Sequence, residues 1–490
     1  MSFKKALLPT LLIGSGIISN PGLASANDSS ELEQLRALVQ ELDQKVRVLD
    51  RKSEIAAEEA ANAKKTTPVL VADEKGFGFK SADGNFEYKL RGLIQLDHRT
   101  FGDDEVNGAD QIDGFLARRI RPTFEGTVFG KYDFRFTPEF GEGVNRAQDS
   151  GNIARVVDAY IDARFQPWFK VRAGKFKPFV GLERLQSGSD IKFIERSYVS
   201  NNILPNRDVG VSVHGDVLNG KLNYAAGIFN GSVDGSENTT TQDNNIDKDY
   251  AVRVFAQPFK DSDSLLSGLG VGLAATYGDA EGTASVTNLP SYKTPGQANN
   301  FFSYASGVVS DGKRVRWSPQ AYYYKGSLGL LAEYAEVSQD VRRTTGAARD
   351  DTLKNDAWHV TASWLLTGED ASFKGVKPKT PFTTGGGWGA WELIARYQEN
   401  NIDEDSFSTA AAGAGVRFAD PRVNAESAKS WAVGVNWYLN QWVRLAVNYE
   451  ETQFDGGGNV NDAGAATGSF TNVSDRDDER LLFSRLQISF

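Results

Sequence analysis

The sequence concentrates arginine in one short stretch. Arg118, Arg119 and Arg121 all fall within residues 115–124. A guanidinium stays charged at physiological pH, and its forked N–H donors match the paired oxygens of a carboxylate or phosphate. If the stretch alternates as a β-strand does, Arg119 and Arg121 share one face, and Arg118 takes the opposite face near the strand end. The residue types and their spacing therefore predict a strand that presents cations to an anion.

Further cations accompany this stretch. Alternation along the flanking segments places Arg91 and Arg135 on the same face as Arg119. A second basic group follows at Lys175, Lys177, Lys192 and Arg196. Two interpretations stay open. In the first, acids such as Glu125 and Glu139 pair with the cations, which predicts weak ion selectivity. In the second, the cations are unpaired, which predicts a preference for anions.

The segments that carry these residues have a period of two. From Phe77 to residue 490, about sixteen segments alternate apolar and polar side chains between turns rich in Gly, Asp and Asn. The alternation continues to the end of the chain, with one face formed by Leu482, Ser484, Leu486, Ile488 and Phe490. Tryptophans near segment ends, such as Trp358 and Trp364, suit the aromatic girdles of a bilayer.

Composition and connections favour a membrane barrel over a helical membrane protein. Short turns alternate with long polar loops at residues 230–248, 280–312 and 454–476. No segment approaches the roughly 18 consecutive apolar residues that a spanning helix needs. We therefore predict an all-β fold, a transmembrane antiparallel β-barrel of about 16 strands, whose water-filled lumen holds the cations. A secreted soluble β-sandwich or propeller is the alternative.

The amino terminus has the pattern of an export signal. Lys4 and Lys5 precede an apolar run at residues 6–18, and small residues at 24–26 form a cleavage site. The sequence predicts a signal peptide at residues 1–26. Its removal takes away two lysines and no acid, so the net charge changes from −10 to −12, which argues against nucleic acid as a partner.

A heptad pattern follows the signal peptide. Apolar residues at spacings of three and four occupy one side of residues 27–66, at Leu32, Leu35, Val39, Leu42, Val46 and Leu49. We predict a short α-helical coiled coil here, then a linker at residues 67–85 and the barrel at residues 86–490. A lone amphipathic helix is the alternative, and the pattern leaves the number of strands in the coiled coil open.

The residues for enzyme chemistry are few. The chain has no cysteine and three histidines, so neither a thiolate metal site nor a cysteine nucleophile is available. His214 lies beside Ser212 and Asp216 on one strand face, a spacing that a polar lumen produces by chance. The sequence predicts neither an enzyme nor a cofactor or metal site.

Three stretches resemble the phosphate-selective porin O and P family: residues 174–201, 362–369 and 389–397. The resemblance implies a sixteen-stranded, trimeric outer-membrane porin whose lumen carries arginines and whose loops fold inward to form a constriction. Carried over by position, it assigns Arg118, Arg119 and Arg121 to an arginine ladder. It assigns Lys175, Lys177, Lys192 and Arg196 to the constriction region.

These expectations combine into one functional hypothesis. The protein is expected in the Gram-negative outer membrane, where the barrel contacts lipid. The coiled coil is expected in the periplasm, where it fixes a homotrimer or contacts peptidoglycan. Small anions, phosphate or polyphosphate first among them, are expected to diffuse passively through an arginine- and lysine-lined constriction. A general non-selective porin and a structural or tethering barrel are the alternatives.

Overall fold

The computed structural model describes residues 28–73, 76–103, 105–106, 109–141, 154–237, 247–297, 300–346, 348–408, 417–458 and 473–490. The predicted signal peptide lies outside the described residues. The chain divides into two compact units, Met1–Thr67 and Pro68–Phe490.

The first unit contains one helix, α1 (Asp28–Thr66). Ion pairs lie on its surface, for example between Lys45 and Glu41 at 2.7 Å. The predicted seam residues are each more than half exposed: Leu32, Leu35, Val39, Leu42, Val46 and Leu49. An amphipathic helix buries such a stripe against a partner, so the coiled coil stays a prediction. No described helix is both long and apolar enough to cross a membrane.

The second unit is built around sixteen antiparallel strands. They are β1 (Glu87–Phe101), β2 (Gly114–Val128), β3 (Tyr132–Glu139), β4 (Arg155–Gln166), β5 (Phe169–Phe176), β6 (Asp208–Val217), β7 (Leu222–Phe229), β8 (Asp249–Ala256), β9 (Leu269–Glu281), β10 (Val308–Lys325), β11 (Leu328–Arg343), β12 (Arg349–Leu365), β13 (Ala390–Asn401), β14 (Ala425–Tyr438), β15 (Val443–Gly458) and β16 (Glu479–Ser489). Each strand pairs with the next, and β16 pairs with β1. The sheet therefore closes, which confirms the predicted barrel.

Side chains along each strand point alternately to the outside and to the inside of the barrel. On β16, Leu482 and Leu486 are exposed to the outside, whereas Phe483 and Arg485 are buried inside. Aromatic pairs bridge neighbouring strands on the outer surface: Trp317 with Tyr334, Trp358 with Tyr397, and Trp431 with Tyr449. A lipid-facing surface with aromatic girdles has this pattern.

The predicted linker contains a short hairpin, Val69–Asp73 and Gly76–Lys80. Its second strand pairs with the start of β1, from Phe77 opposite Leu90 to Lys80 opposite Glu87. Pairing between β16 and β1 begins only at Leu93, so the start of β1 has a free edge on that side. A free edge offers unpaired N–H and C=O groups, and the hairpin satisfies them.

The terminal aromatic residue closes the seam between β16 and β1. The N–H of Gly92 donates to the carbonyl of Phe490 at 2.8 Å, and the N–H of Phe490 donates back at 3.0 Å. A Cβ at position 92 would lie 2.4 Å from the Phe490 ring. Glycine at this position lets the Phe490 ring lie directly over the strand, and any larger residue would push the ring aside.

The predicted orientation of Arg118 is wrong. Gln95 of β1 faces Arg119 of β2, but the next residue, Leu96, faces Ala117, so Arg118 is an extra residue in the ladder. Such a β-bulge breaks the alternation of side chains. Arg118 consequently points into the lumen, where its Nε donates to Glu195 at 2.7 Å.

Residues 177–207, between β5 and β6, form the lumen loop. The loop contains a short helix, Leu182–Leu185, and one π-helical turn, Val199–Ile203. Its apolar side chains pack on small inward-facing residues of the barrel wall, among them Ala335 and Ala357. The remaining short elements are Glu105–Val106, Ala109–Asp110, Leu218–Gly220, Leu265–Gly268, Ser291–Lys293, Asn300–Ser303, Glu404–Ser406 and Ser474–Asp475.

Candidate functional site

Hydrogen bonds fix the lumen loop to one side of the barrel. The N–H groups of Leu182 and Glu183 donate to the Glu333 carboxylate of β11 at 2.5 and 2.8 Å. Further along, the N–H of Tyr198 donates to Gln398 of β13 at 3.0 Å. Wall side chains also donate to loop carbonyls: Asn436 to Lys192, Arg444 to Ile191, Arg485 to Ile194 and Gln95 to Gly188. The loop therefore leaves the wall formed by β1 to β5 facing an opening.

Glu195 anchors the middle of the loop. Arg118 binds it through two nitrogens at 2.7 and 3.3 Å. Three further arginines lie within 4.0 Å of its carboxylate: Arg99, Arg119 and Arg485. We call these four arginines and Glu195 the glutamate clasp. Burial alone would raise the pKa of Glu195, but Arg118 and Arg119 outweigh it and hold that pKa below its ordinary value.

The opening is a pocket of about 210 Å³ between the lumen loop and strands β1 to β5. Six cationic side chains line it: Arg91, Arg121, Arg135, Arg172, Lys177 and Arg207. Asp158 is the one acid among its lining residues. Thr123, Thr137 and serines 187, 189 and 489 add hydroxyl groups. The surface of the opening is therefore strongly cationic.

Acids behind this surface hold the guanidinium groups in place. Glu125 binds Arg135 at 2.5 Å and Arg91 at 3.5 Å. Glu139 binds Arg121 at 2.5 Å. In the same way Asp158 binds Arg207, and Asp162 binds Arg172. One interpretation of the sequence required ion pairs with Glu125 and Glu139, and these pairs are present. Two arginines share the single carboxylate of Glu125.

Lys177 differs from the other lining cations because it has no ion pair within the described parts of the chain. Its ammonium group donates to the carbonyl of Gln186 at 2.7 Å. Removal from water, followed by repulsion from Arg196 and Arg207, lowers the pKa of Lys177 well below its ordinary value. Its charge is therefore more sensitive to pH than that of any arginine beside it.

We expect this lysine to make ion selectivity depend on pH. As pH rises through the lowered pKa, Lys177 loses its proton, so the preference for chloride over potassium should fall over a titration from acid to alkaline pH. The variant Lys177→Arg keeps its charge across this range and should remove most of that dependence. Zero-current potentials under a KCl gradient measure the ion preference of the wild-type protein and of the variant at each pH. An equal pH dependence in the two proteins would contradict the assignment.

Four of the nine residues that the sequence proposed line the pocket: Arg91, Arg121, Arg135 and Lys177. The other five lie elsewhere in the lumen. Arg118 and Arg119 belong to the glutamate clasp, and Arg119 also donates to Gln95 at 2.6 Å. The remaining three are buried: Lys175 lies 3.9 Å from Glu237, Lys192 binds Glu392 at 2.7 Å, and Arg196 donates to the carbonyl of Gln186.

Sequence reasoning missed Arg172 and Arg207. Arg172 shares the inward parity of β5, and its guanidinium lies over the Tyr160 ring at 4.3 Å; parity alone would have found it. Arg207 precedes β6 in an irregular segment, where alternation gives no signal. Its position comes from its contacts with Asp158 and Glu237.

His214 has a structural partner. His214 contacts Asp162 at 3.0 Å, and the hydroxyl of Ser212 donates to the carbonyl of Ala226, so this serine is not activated by the histidine. In the parts of the chain that the structure covers, no group of three or more histidine, cysteine or acidic side chains is arranged to hold a metal ion.

Comparison with known proteins agrees with this architecture. The family model for the phosphate-selective porins O and P matches residues 86–467. Porin O of Pseudomonas aeruginosa is 23% identical over 454 residues, which cover 86% of this chain and 92% of that protein.

A solved outer-membrane channel has the same fold. The outer-membrane channel DcaP of Acinetobacter baumannii superposes with a TM-score of 0.50 at 12% identity, covering 84% of this chain and 99% of that one. An anion-selective porin from Comamonas acidovorans superposes with a TM-score of 0.47 at 12% identity, covering 83% and 100%. The barrel, its inward-folded loop and the family match together make this chain a member of the phosphate-selective porin O and P family, an outer-membrane channel and not an enzyme.

Proposed function

We propose that the protein conducts small anions, phosphate among them, by passive diffusion through the pocket between the lumen loop and strands β1 to β5. The observation that carries this proposal is the lining of that pocket, where six cations face one acid. A wall with this excess lowers the energy of an anion in the opening and raises that of a cation. The family name supports anions as the substrate class.

Conduction requires that each binding step stay weak enough for release. The acids behind the wall provide this. A guanidinium that already binds Glu125 or Glu139 keeps only part of its donor set for a passing anion, so no site holds the anion tightly. Arg121 and Arg91 lie on neighbouring strands, with Arg91 opposite Thr123 in the register. An anion can therefore pass from one cation to the next along the wall.

We also propose that the chain assembles as a homotrimer in contact with outer-membrane lipid, with α1 in the periplasm. The exposed apolar stripe of α1 supports an assembly, since pairing helices bury such a stripe. Contact between α1 and peptidoglycan stays a prediction from the sequence.

The test is the zero-current potential of the purified mature protein in a planar bilayer under a KCl gradient, followed by phosphate as a blocker of the chloride current. We expect a chloride preference and a concentration-dependent block. Absence of preference would favour a general non-selective porin. Absence of conductance would favour a tethering barrel.

A further inference from the structure

The cationic pocket has a second, apolar lining. Leu93, Tyr160, Phe176 and Leu185 face the same space as the six cations. The first three lie on strands β1, β4 and β5, and Leu185 comes from the helix of the lumen loop. A channel for a compact inorganic anion gains nothing from such side chains, because they cannot replace the water that the ion loses.

Apolar and cationic residues occupy adjacent positions around this pocket. Leu93 is opposite Arg121 in the pairing of β1 with β2. Tyr160 is opposite Arg135 in the pairing of β3 with β4. Phe176 directly precedes Lys177 in the chain. Three of the six cations, Arg121, Arg135 and Lys177, therefore have an apolar neighbour within one residue spacing, a layout that matches a ligand with a charged end and an apolar body.

The state of the cations points the same way. All five lining arginines are already bound to carboxylates. A compact divalent anion needs several free donors to replace its hydration, whereas a carboxylate needs one or two. Lys177, which has no ion pair among the described residues, donates to the carbonyl of Gln186, so its charge is not neutralised by a bound carboxylate.

The pocket also has room for such a ligand. A cavity needs about 10–15 Å³ to hold one water molecule, and the volume of this pocket is about 210 Å³. A ring with a carboxylate therefore fits without displacing the lumen loop.

Building on the anion channel proposed above, we propose that this pocket binds organic monocarboxylates with an apolar ring or chain in preference to inorganic phosphate. The carboxylate is held by Lys177 and the neighbouring arginines, and the apolar body lies against Leu93, Leu185 and the Tyr160 ring. Passage remains passive diffusion, with the pocket as the site of selection.

The experiment compares benzoate, acetate and phosphate as blockers of the chloride current through the mature protein in a planar bilayer. Benzoate should reach half-block at a concentration about tenfold lower than acetate and lower than phosphate, since only benzoate buries apolar surface in the pocket. Equal half-block by benzoate and acetate, or stronger block by phosphate, would overturn the proposal.

Two variants locate the effect. Leu93→Ala and Leu185→Ala should each reduce the ratio of acetate to benzoate half-block concentrations by about threefold, and Leu93→Met should restore it. Leu330→Ala, which changes an exposed leucine on the outer face of β11, is the matched control and should leave the ratio unchanged. A ratio that stays constant in both pocket variants would contradict the assignment.

The same recordings separate this inference from the proposed function. If the zero-current potential shows no anion preference, the anion channel itself fails. If anion preference is present and benzoate has no advantage, the channel stands and the organic-anion site is overturned.

Discussion

Glu195→Ala is expected to release the lumen loop from the barrel wall. In the variant, Arg99, Arg118, Arg119 and Arg485 remain buried together, with Asp97 as the nearby acid, bound to Arg485 at 2.6 Å. Removing one partner of a buried ion pair costs about 3–5 kcal/mol, because the charge left behind is uncompensated. The four arginines should repel one another, and the loop segment that Glu195 anchors should leave its present position.

Two measurements detect that release. The temperature at which the barrel loses its β-sheet circular dichroism should fall, and the single-channel conductance in KCl should rise by about twofold with more current noise, because the loop no longer narrows the lumen. Glu195→Gln separates charge from size and should behave like the alanine variant.

Glu451→Ala is the matched control. This glutamate lies on the outer face of β15, away from the lumen loop, and its pair with the half-exposed Arg480 is long, at 3.8 Å. Such a loose pair at the outer surface contributes little to stability. Its removal should change neither conductance nor unfolding temperature measurably. A quiet channel of unchanged conductance in Glu195→Gln would mean that the hydrogen bonds to β11 and β13–β16 hold the loop without the clasp.

The clasp also marks where sequence reasoning reached its limit. Alternation with a period of two predicted the closed barrel and the inward positions of Arg91, Arg121 and Arg135, since lipid outside and water inside enforce that period. The same alternation placed Arg118 on the wrong face. A β-bulge depends on pairing with the neighbouring strand, and the sequence of the bulged strand alone does not indicate it.

The acid partners show a second limit. Glu125 is close in sequence to Arg135, one of the two arginines that it binds, so that pairing could be anticipated. Glu195 is separated from Arg118 by 77 positions and reaches it only because the lumen loop folds inward. Resemblance to the family indicated that residues 174–201 matter, but the side of the lumen to which the loop binds follows from scattered contacts such as that between Leu182 and Glu333.

The double variant Arg91→Gln/Arg135→Gln is expected to remove most of the anion preference. These arginines share Glu125, and their side chains are 43% and 35% exposed, so a passing ion meets them in a water-like medium. The net charge of Arg91, Arg135 and Glu125 is +1, and in the double variant the net charge at these three positions is −1. A unit charge about 4 Å away changes the energy of an ion by about 1 kcal/mol in water, so the chloride-to-potassium permeability ratio should fall by at least about tenfold.

Glu125→Gln provides the opposite test at the same place. It raises the local sum from +1 to +2 and should therefore increase the permeability ratio, whereas Arg342→Gln, which breaks an exposed pair with Asp311, should leave it unchanged. Both shifts should shrink as the salt concentration rises from 0.01 to 1 M, because the Debye length shortens from about 30 to 3 Å. If the double variant and Glu125→Gln both left the ratio as it was, the ions would have to pass through another part of the lumen, and the cationic wall would serve only to hold the barrel interior together.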